Sequence, residues 1–522
     1  MNRHRLRSAL GGMCMFGWVV GVVGGGARPA AAEPAVSSPT PVVPAPSAVD
    51  GAPGRRVTVD TPIETYATPA AQVSQTIYLN RCSGGCTVHM GNNDARSNTS
   101  SIPMVTPQTP GPAFTIGEFV NDSGGVGAAA DAEWAQVVQC MKEVYSPYNV
   151  AVTDVKPTSG QSYHEAIIAG LPGDIGLAND ILGVAPLASN CSAIDNVISF
   201  SFANRHPPGG RVLNICWTAA QESAHAFGLD HEYSFTTGYA VNGHSACNDP
   251  MTYRTTCGGE KFFRNEDANC GETATRQCKC GATQNSHTKL LGVFGAGTPI
   301  TGNPTVMLTA PASGVVLPDR AANVTLKAGA KRGVASVDLY LNGYKWATAP
   351  GTAFGLEGQP NPDQYAILFP ADVPRSIVDI KVIAYDDLGS KTESAVVTAT
   401  YGVPCTTATA CAKGQKCEAG KCFWDPPSGK IGDDCSYAQF CESGLCTGTK
   451  DQQICTQACT PGVASTCPSD FDCLMSGPGT GVCFFSSTGG GCCSIGGDGG
   501  TVWAQLGLAA AAFGFVVRRR RR

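Results

Sequence analysis

The sequence predicts a multidomain protein with an α/β (α+β) domain first, an all-β sandwich second and a small disulfide-rich module third. A chain of 522 residues is long enough for about two to four domains. Its 25 cysteines are unevenly spread along the chain. Ten lie between residues 73 and 297, none between 299 and 402, and twelve between 405 and 483. Apolar and polar residues alternate in the cysteine-free stretch, which is typical of β-strands.

Composition and charge limit the classes of function. Hydrophobic residues make up 43% of the chain, which excludes a protein that is disordered along its whole length. Charged residues make up only 15% and the formal net charge is −5, so the sequence lacks the electrostatic signature of a nucleic-acid-binding protein. Arginines are concentrated near both ends of the chain, and the body between them is acidic.

The first domain is predicted to span residues 59–297 and to place strands and a helix ahead of its central motif. A stripe of apolar residues predicts a helix over Ala132–Tyr145, and Pro147 ends it. Strand patterns follow at Asn149–Val155 and Asp195–Phe202. The helical stripe consists of Trp134, Val137, Val138, Met141 and Tyr145.

A pattern of metal-ligand residues lies in the middle of this domain. Helical spacing places Gln221 and His225 on one face, one turn apart, with Glu222 beside them. Gly228 can adopt the left-handed conformation that ends a helix, so the chain can bring His231 towards His225. Two or three side chains that converge in this way suit Zn²⁺. Glu222 is then placed to act as general base on a water whose pKa the metal lowers.

This stretch resembles the metzincin zinc-protease motif H-E-x-x-H-x-x-G-x-x-H. Glu222, His225, Gly228 and His231 match four of its five fixed positions, and Gln221 stands where the first histidine belongs. Further along, Asp249–Tyr253 resembles the Met-turn of the same family. The resemblance implies a metzincin-like fold that hydrolyses polypeptide substrates.

The resemblance also assigns roles to single residues. It implies that Met251 lies beneath the metal and that Tyr253 approaches the metal or the substrate, where it stabilises an oxyanion. The implied zinc ligands are His225, His231 and Gln221, and the implied catalytic residues are Glu222 and Tyr253.

The glutamine leaves three interpretations open. In the first, Gln221 is a weak third ligand, because an amide oxygen binds Zn²⁺ more weakly than imidazole does. In the second, His244, Asp230 or Glu232 substitutes for it. In the third, the domain is a pseudo-protease that keeps the fold without the metal. The chain is then either a secreted, surface-anchored zinc-dependent endopeptidase or a non-catalytic surface protein for adhesion or envelope interaction.

Residues 298–402 are predicted to form the all-β sandwich. Apolar and polar residues alternate from Ser336 to Leu341, and Asn342-Gly343 is a typical hairpin turn. The stretch Ile380–Asp386 resembles the late strands of bacterial Ig-like domains, which implies a spacer or adhesion module without catalytic residues. Further strand patterns occur at 324–328, 365–369, 378–385 and 396–401.

Residues 403–485 are predicted to fold as a disulfide-rich module, because they contain too little apolar material for a core of their own. A spacing of three cysteines that begins at Cys405 is partly repeated from Cys435. Spacing alone leaves the pairing open, and the predicted role is a stalk near an anchor. In the first domain, a disulfide is predicted for Cys82 with Cys86. Cys247 and Cys257 flank the Met-turn and are predicted to brace it, either with each other or with partners among Cys270, Cys278 and Cys280.

The chain begins with a predicted secretory signal peptide at residues 1–32. A basic stretch precedes an apolar stretch, and Ala30–Ala32 offers a cleavage site. Export to an oxidising compartment follows from this interpretation and agrees with the many cysteines. Residues 33–58 are rich in Pro, Ala, Ser and Val, which predicts an extended linker.

The chain ends with a predicted sorting signal. Residues 486–500 form a Gly/Ser linker that carries Cys492 and Cys493, and residues 501–522 combine an apolar transmembrane stretch with five terminal arginines. This order resembles the myxobacterial C-terminal sorting signal (MYXO-CTERM). The resemblance implies a membrane sorting protease as partner, cleavage near the cysteine pair, and anchoring at the cell surface or outer membrane or release outside the cell.

Overall fold

The structure is a computed structural model in which the described chain is mostly β, with three α-helices in the described ranges and a cysteine-rich region joined by many disulfides. None of the described helices is long and apolar enough to cross a membrane. The predicted signal peptide, His244, and residues 486–522 with Cys492 and Cys493 lie outside the described residues. The described residues are 55–61, 73–103, 113–236, 245–318, 323–369, 373, 375–424, 426–448, 452–463, 466–477 and 479–485.

The first domain is built on a six-stranded sheet with the order β1-β8-β9-β7-β2-β6. Strands β9, β7, β2 and β6 are parallel, β8 runs antiparallel to β9, and β1 runs parallel to β8 at the edge. Two smaller sheets join β3 with β4 and β5, and β10 with β11. The strands are β1 (Arg55–Thr61), β2 (Thr76–Asn80), β3 (Cys86–Met90), β4 (Thr99–Ser100), β5 (Ala113–Ile116), β6 (Ala151–Thr153), β7 (His164–Ile168), β8 (Ile181–Ala188), β9 (Ile198–Ser201), β10 (Glu232–Phe235) and β11 (Ala268–Cys270).

The helices of this domain are α1 (Ala128–Tyr145), α2 (Arg211–Ala226) and α3 (Ser286–Phe294). All five residues of the predicted apolar stripe in α1 are buried, which confirms that helix. Helix α2 is buried on every side from Ile215 onwards, because it lies between α1 and the strands β8 and β9. The disulfide Cys140–Cys216 joins α1 to α2. The side chains on α2 therefore have a rigid support.

Strand β1 corrects the predicted boundary between linker and domain. It begins at Arg55, inside the stretch 33–58 that composition assigned to an extended linker, so the folded domain starts before residue 59. Val57 and Val59 pack against the core of the domain, and the backbone of β1 pairs with β8. These contacts give β1 a defined structure, although the composition of residues 33–58 predicts only an extended linker.

The second region is a β-sandwich of two antiparallel sheets, and its strands confirm the predicted patterns. One sheet has the order β12-β13-β16, and the other has the order β15-β14-β17-β18, with β19 also paired to β17. The predicted turn between β14 and β15 has φ of 49° at Asn342 and 86° at Gly343, as a tight hairpin requires. The strands are β12 (Thr305–Ala310), β13 (Asn323–Gly329), β14 (Ser336–Leu341), β15 (Tyr344–Pro350), β16 (Gln364–Leu368), β17 (Ile377–Tyr385), β18 (Lys391–Glu393) and β19 (Val397–Thr400).

A buried ion cluster joins the sandwich to the first domain. The Asp387 side chain, in the turn after β17, is 0% exposed. Arg332 of the sandwich donates two hydrogen bonds to this carboxylate, at 2.7 and 2.8 Å. Arg264 of the first domain donates a third at 3.2 Å. Both guanidinium groups also lie against the ring of Phe262, at 4.7 Å for Arg332 and 5.5 Å for Arg264.

The C-terminal module consists of three consecutive groups of four cysteines, and each group pairs its first cysteine with its third and its second with its fourth. Every cysteine in the described ranges forms a disulfide. The pair Cys82–Cys86 is confirmed, and Cys247 pairs with Cys257, which is one of the pairings that the sequence left open. The pairs of the module are Cys405–Cys417, Cys411–Cys422, Cys435–Cys446, Cys441–Cys455, Cys459–Cys473 and Cys467–Cys483. Its strands are β20 (Lys416–Glu418), β21 (Lys421–Phe423), β22 (Cys446–Gly448), β23 (Gln453–Cys455), β24 (Ala458–Cys459), β25 (Phe471–Gly477) and β26 (Thr480–Phe485).

Candidate metal and catalytic site

Helix α2 carries three of the predicted site residues into the core of the first domain. Gln221, Glu222 and His225 lie in its C-terminal half and have no solvent exposure. The helix ends just before Gly228, which has a φ of +88°. A Cβ atom at Gly228 would lie 2.0 Å from the carbonyl oxygen of Cys191, so glycine is required for both conformation and space. The predicted glycine helix end is confirmed.

This reversal of the chain brings two histidines together. The ring centroids of His225 and His231 are 4.6 Å apart, and the ring planes are at 82° to each other. Nδ1 of His225 is 2.7 Å from the carbonyl oxygen of Leu229, and Nδ1 of His231 is 2.9 Å from a carboxylate oxygen of Glu272. The Nε2 atoms of both rings are buried and have no hydrogen-bond partner among the described residues. One nitrogen of each ring is thus fixed while the other is available, as in metal-binding histidines.

The turn at residues 248–253 packs against these side chains. Its Met251 is fully buried, and the carbonyl oxygen of Met251 accepts a hydrogen bond of 3.4 Å from Nε2 of Gln221. Oε1 of Gln221 is left buried, without a partner in the described part of the chain. The ring of Tyr253 lies 4.8 Å from the ring of His231. The turn therefore orients the glutamine and places the Tyr253 ring beside His231.

Glu222 is a buried carboxyl group for which no described residue supplies a hydrogen bond. Burial raises the pKa of Glu222 well above its ordinary value, and the nearby positive charge of Arg56 opposes this shift. Strand β8 runs close by, because a Cβ atom added at Gly183 would lie 2.5 Å from Oε1 of Glu222. A carboxyl group with a raised pKa is suited to take up and release a proton near neutral pH.

Strand β1, which pairs with β8 at the edge of the sheet, also contacts this site. The hydroxyl of Tyr253 donates a hydrogen bond to the backbone carbonyl of Arg56. The guanidinium of Arg56 donates to Oγ1 of Thr218 and to the carbonyl oxygen of Thr252, both at 3.2 Å. Burial raises the pKa of Tyr253, with a further contribution from the negative charge of Glu222, so the hydroxyl remains a hydrogen-bond donor.

The alternative ligands have other partners in the structure. Arg276 donates to both carboxylate oxygens of Asp230, at 2.6 and 2.8 Å, and Gln284 donates to Glu232 at 3.0 Å. His244 lies outside the described residues. Three cysteine triplets of the C-terminal module are close enough together to bind a metal, but their members are disulfide-bonded. Both oxygens of Asp230 are therefore engaged, whereas Oε2 of Glu232, like Oε1 of Gln221, is buried and has no partner in the described part of the chain.

A second cluster next to the site serves to orient His231. Ligand atoms of Asp230, His231 and Glu272 lie within 4.8 Å of one another, and Arg276 bonds to both carboxylates. Burial alone would raise the pKa of Glu272, but hydrogen bonds from His231 and Arg276 lower it to about 2. Glu272 therefore stays ionised and fixes the ring of His231.

Sequence reasoning missed three residues that shape the site: Arg56, Gly183 and Glu272. Arg56 was assigned to a linker, although the alternation of residues 56–60 is itself a weak strand signal. Glu272 is 41 positions from His231 in the chain, and no local spacing links the two. Gly183 had no signal, because the close approach of Glu222 that makes glycine necessary is created by the tertiary fold.

Comparison with known proteins assigns no family. No family model and no curated protein match the chain. Fibronectin(III)-like modules of CbhA from Clostridium thermocellum align with 24% identity over 19% of this chain and 96% of that chain, with a TM-score of 0.14. An engineered protein aligns with 12% identity over 55% of this chain and 64% of that chain, also with a TM-score of 0.14. These similarities are too weak to assign either a fold or an activity to this chain.

Proposed function

We propose that the first domain is a metzincin-like, zinc-dependent endopeptidase domain that acts on polypeptides. The observation that carries the proposal is a set of three buried ligand atoms without partners among the described residues: Oε1 of Gln221, Nε2 of His225 and Nε2 of His231. A buried polar atom without a partner costs about 1–3 kcal/mol. The two histidine rings are in contact, and Gln221 lies one helical turn before His225, so a cation bound here could satisfy these atoms. Their chemistry fits Zn²⁺.

Each residue around the site can take a separate role in peptide hydrolysis. Zn²⁺ bound by these ligands would supply a Lewis acid that polarises a peptide carbonyl and lowers the pKa of water. Glu222 would take a proton from the attacking water and deliver it to the leaving amide nitrogen. Tyr253 would donate a hydrogen bond to the carbonyl oxygen as negative charge develops on it. Glu272 and the carbonyl of Leu229 would keep the two imidazole rings in orientation.

The proposal includes export and attachment to the cell surface. All cysteines in the described ranges are paired, and disulfides form and persist in oxidising compartments. This supports the predicted signal peptide. The sorting signal with Cys492 and Cys493, its membrane sorting protease and surface anchoring remain predictions from the sequence.

Zinc content and casein cleavage, measured on the purified full chain, test the peptidase proposal. We expect one zinc per chain and cleavage of casein. Glu222→Gln should keep the zinc and reduce cleavage by about 10²- to 10⁴-fold, the usual contribution of a general base. Gln221→His should raise zinc occupancy in dilute metal, because imidazole binds Zn²⁺ more strongly than an amide oxygen does.

Glu165→Gln is the matched control. Glu165 is also a buried carboxyl of this domain, but it lies on β7 and accepts a hydrogen bond of 2.7 Å from Asn80. This variant should retain both zinc and cleavage. Cleavage that survives Glu222→Gln would contradict the proposal. Zinc binding without any cleavage would favour the alternative, a non-catalytic surface protein built on a pseudo-protease domain.

A further inference from the structure

Strand β1 covers the edge of the sheet that flanks the candidate site. Its register pairs Arg56 with Gly183 and Val57 with Val184 of β8. Gly183 is the residue of β8 where an added Cβ atom would lie 2.5 Å from the carboxyl group of Glu222. The backbone of β1 therefore passes the candidate site at Arg56.

Arg56 is held through both its backbone and its side chain. Its carbonyl oxygen accepts a hydrogen bond from the hydroxyl of Tyr253. In the proposed mechanism this hydroxyl donates a hydrogen bond to the carbonyl oxygen of the substrate. Its side chain is only 3% exposed and enters a pocket between α2 and the 248–253 turn. In that pocket the guanidinium bonds to Thr218 and Thr252 at 3.2 Å and lies 5.8 Å from the centre of the Tyr253 ring.

Ion pairs hold both ends of β1 on the domain. Arg55 lies 2.6 Å from Asp180, and Asp60 pairs with Lys279. The edge of a strand offers a single row of N–H and C=O groups. Because β1 already pairs with the outer edge of β8, a second extended chain cannot pair there until β1 leaves.

We propose that the groove bounded by β8, α2 and the 248–253 turn binds an extended peptide with an arginine side chain, and that β1 is its built-in occupant. This proposal rests on the peptidase function proposed above and names its substrate class. A substrate would add to β8 as a strand, place an arginine where Arg56 lies and present the carbonyl of that arginine to Tyr253. While β1 is tethered, its high effective concentration makes it compete with such a peptide, so the uncut chain binds the peptide weakly and cleaves casein more slowly than the cut chain does.

The test releases β1 from its tether in the full chain. A recognition sequence for a specific protease is inserted between residues 62 and 72, and the purified protein is cut there. The probe is a fluorescent peptide with the sequence of residues 55–61, Arg-Arg-Val-Thr-Val-Asp-Thr. Its binding is measured by fluorescence anisotropy, which needs neither bound metal nor catalysis, and casein cleavage is measured alongside.

We expect the cut protein to bind the peptide about tenfold or more tightly than the uncut protein does, and to cleave casein faster. The peptide with the Arg56→Ala substitution should bind about tenfold or more weakly, because hydrogen bonds to a charged group contribute strongly. The peptide with Arg55→Ala is the matched control and should lose less affinity, because the Arg55–Asp180 ion pair is partly exposed and such pairs contribute little. In the uncut chain, Arg56→Ala should increase casein cleavage more than Arg55→Ala does.

The outcomes separate this proposal from the peptidase proposal. Peptide binding without casein cleavage supports the arginine groove and contradicts the peptidase function. Casein cleavage that is equal before and after the cut overturns the role of β1 and leaves the peptidase intact. Loss of the thermal unfolding transition after the cut would show that β1 is a structural strand, and this too overturns the proposal.

Discussion

Replacing Asp387 by asparagine should destabilise the joined first domain and sandwich, because it removes the negative charge from the buried ion cluster. Three hydrogen bonds of 2.7–3.2 Å from two guanidinium groups converge on this carboxylate, and its side chain has no solvent exposure. Removing one partner of a buried ion pair typically costs about 3–5 kcal/mol. At about 2–4 °C per kcal/mol, the expected fall in Tm is about 6–20 °C.

Differential scanning calorimetry of the full chain measures this effect, with Glu393→Gln as the control. Glu393 forms an ion pair with Lys381 at the surface, and its loss should leave the Tm unchanged. Burial opposes the ionisation of Asp387, but Arg332 and Arg264 lower the pKa of Asp387 below its ordinary value.

The lowered pKa gives the prediction a direction in pH. The contribution of the ion cluster to stability should be complete above about pH 3.9, the unfolded value for aspartate. The contribution should be lost as the pH falls through the lower pKa that Asp387 has in the folded protein. An Asp387→Asn variant that melts within about 2 °C of the native chain at pH 7, or whose deficit grows on acidification, would refute this reasoning.

Three further predictions concern the first domain. Glu222→Gln should raise the Tm of the metal-free protein, and the gain should increase as the pH rises above about 4.3, the unfolded pKa of glutamate. Above that pH Glu222 ionises more readily in the unfolded state, where its pKa is lower, and this favours unfolding of the native chain. Equal Tm values for the two proteins across pH 5–8 would contradict this. Gly228→Ala should cost at least about 1–3 kcal/mol in urea unfolding, from its φ of +88° and the contact with Cys191. Replacing both Cys140 and Cys216 by alanine should lower the free energy of unfolding by about 4 kcal/mol, because their disulfide closes a separation of 76 residues. A urea midpoint equal to that of the native chain would rule this out.

Local patterns predicted the elements of the fold well. The spacing of His225, Gly228 and His231 lies within one helix end, so the sequence was sufficient to predict that the two rings meet. The hairpin at Asn342-Gly343 was predictable for the same reason, because two adjacent residues with positive φ determine the turn. In both cases the physical cause is contained within a few consecutive residues.

Partners that are distant in sequence were beyond prediction from one chain. Glu272 orients His231, and Asp387 binds Arg264 across 123 positions. Strand β1 shows the same limit, because its pairing with β8 spans more than a hundred residues. Each of these contacts arises only once the sheets have packed, and composition around Arg55 favoured a linker.

The pairing of alternate cysteines in the C-terminal module has a mechanical consequence. Overlapping disulfides close the stretches from Cys405 to Cys422, Cys435 to Cys455 and Cys459 to Cys483, so a pulling force cannot straighten them. The two connections between these stretches, from Cys422 to Cys435 and from Cys455 to Cys459, are bridged by no disulfide and can be drawn out fully. At about 3.3–3.6 Å per residue, these connections reach a length of roughly 60 Å, whereas the whole stretch from Cys405 to Cys483 reaches roughly 270 Å when reduced. Under tension the oxidised module would therefore lengthen much less than the reduced module, so its compliance would depend on redox state.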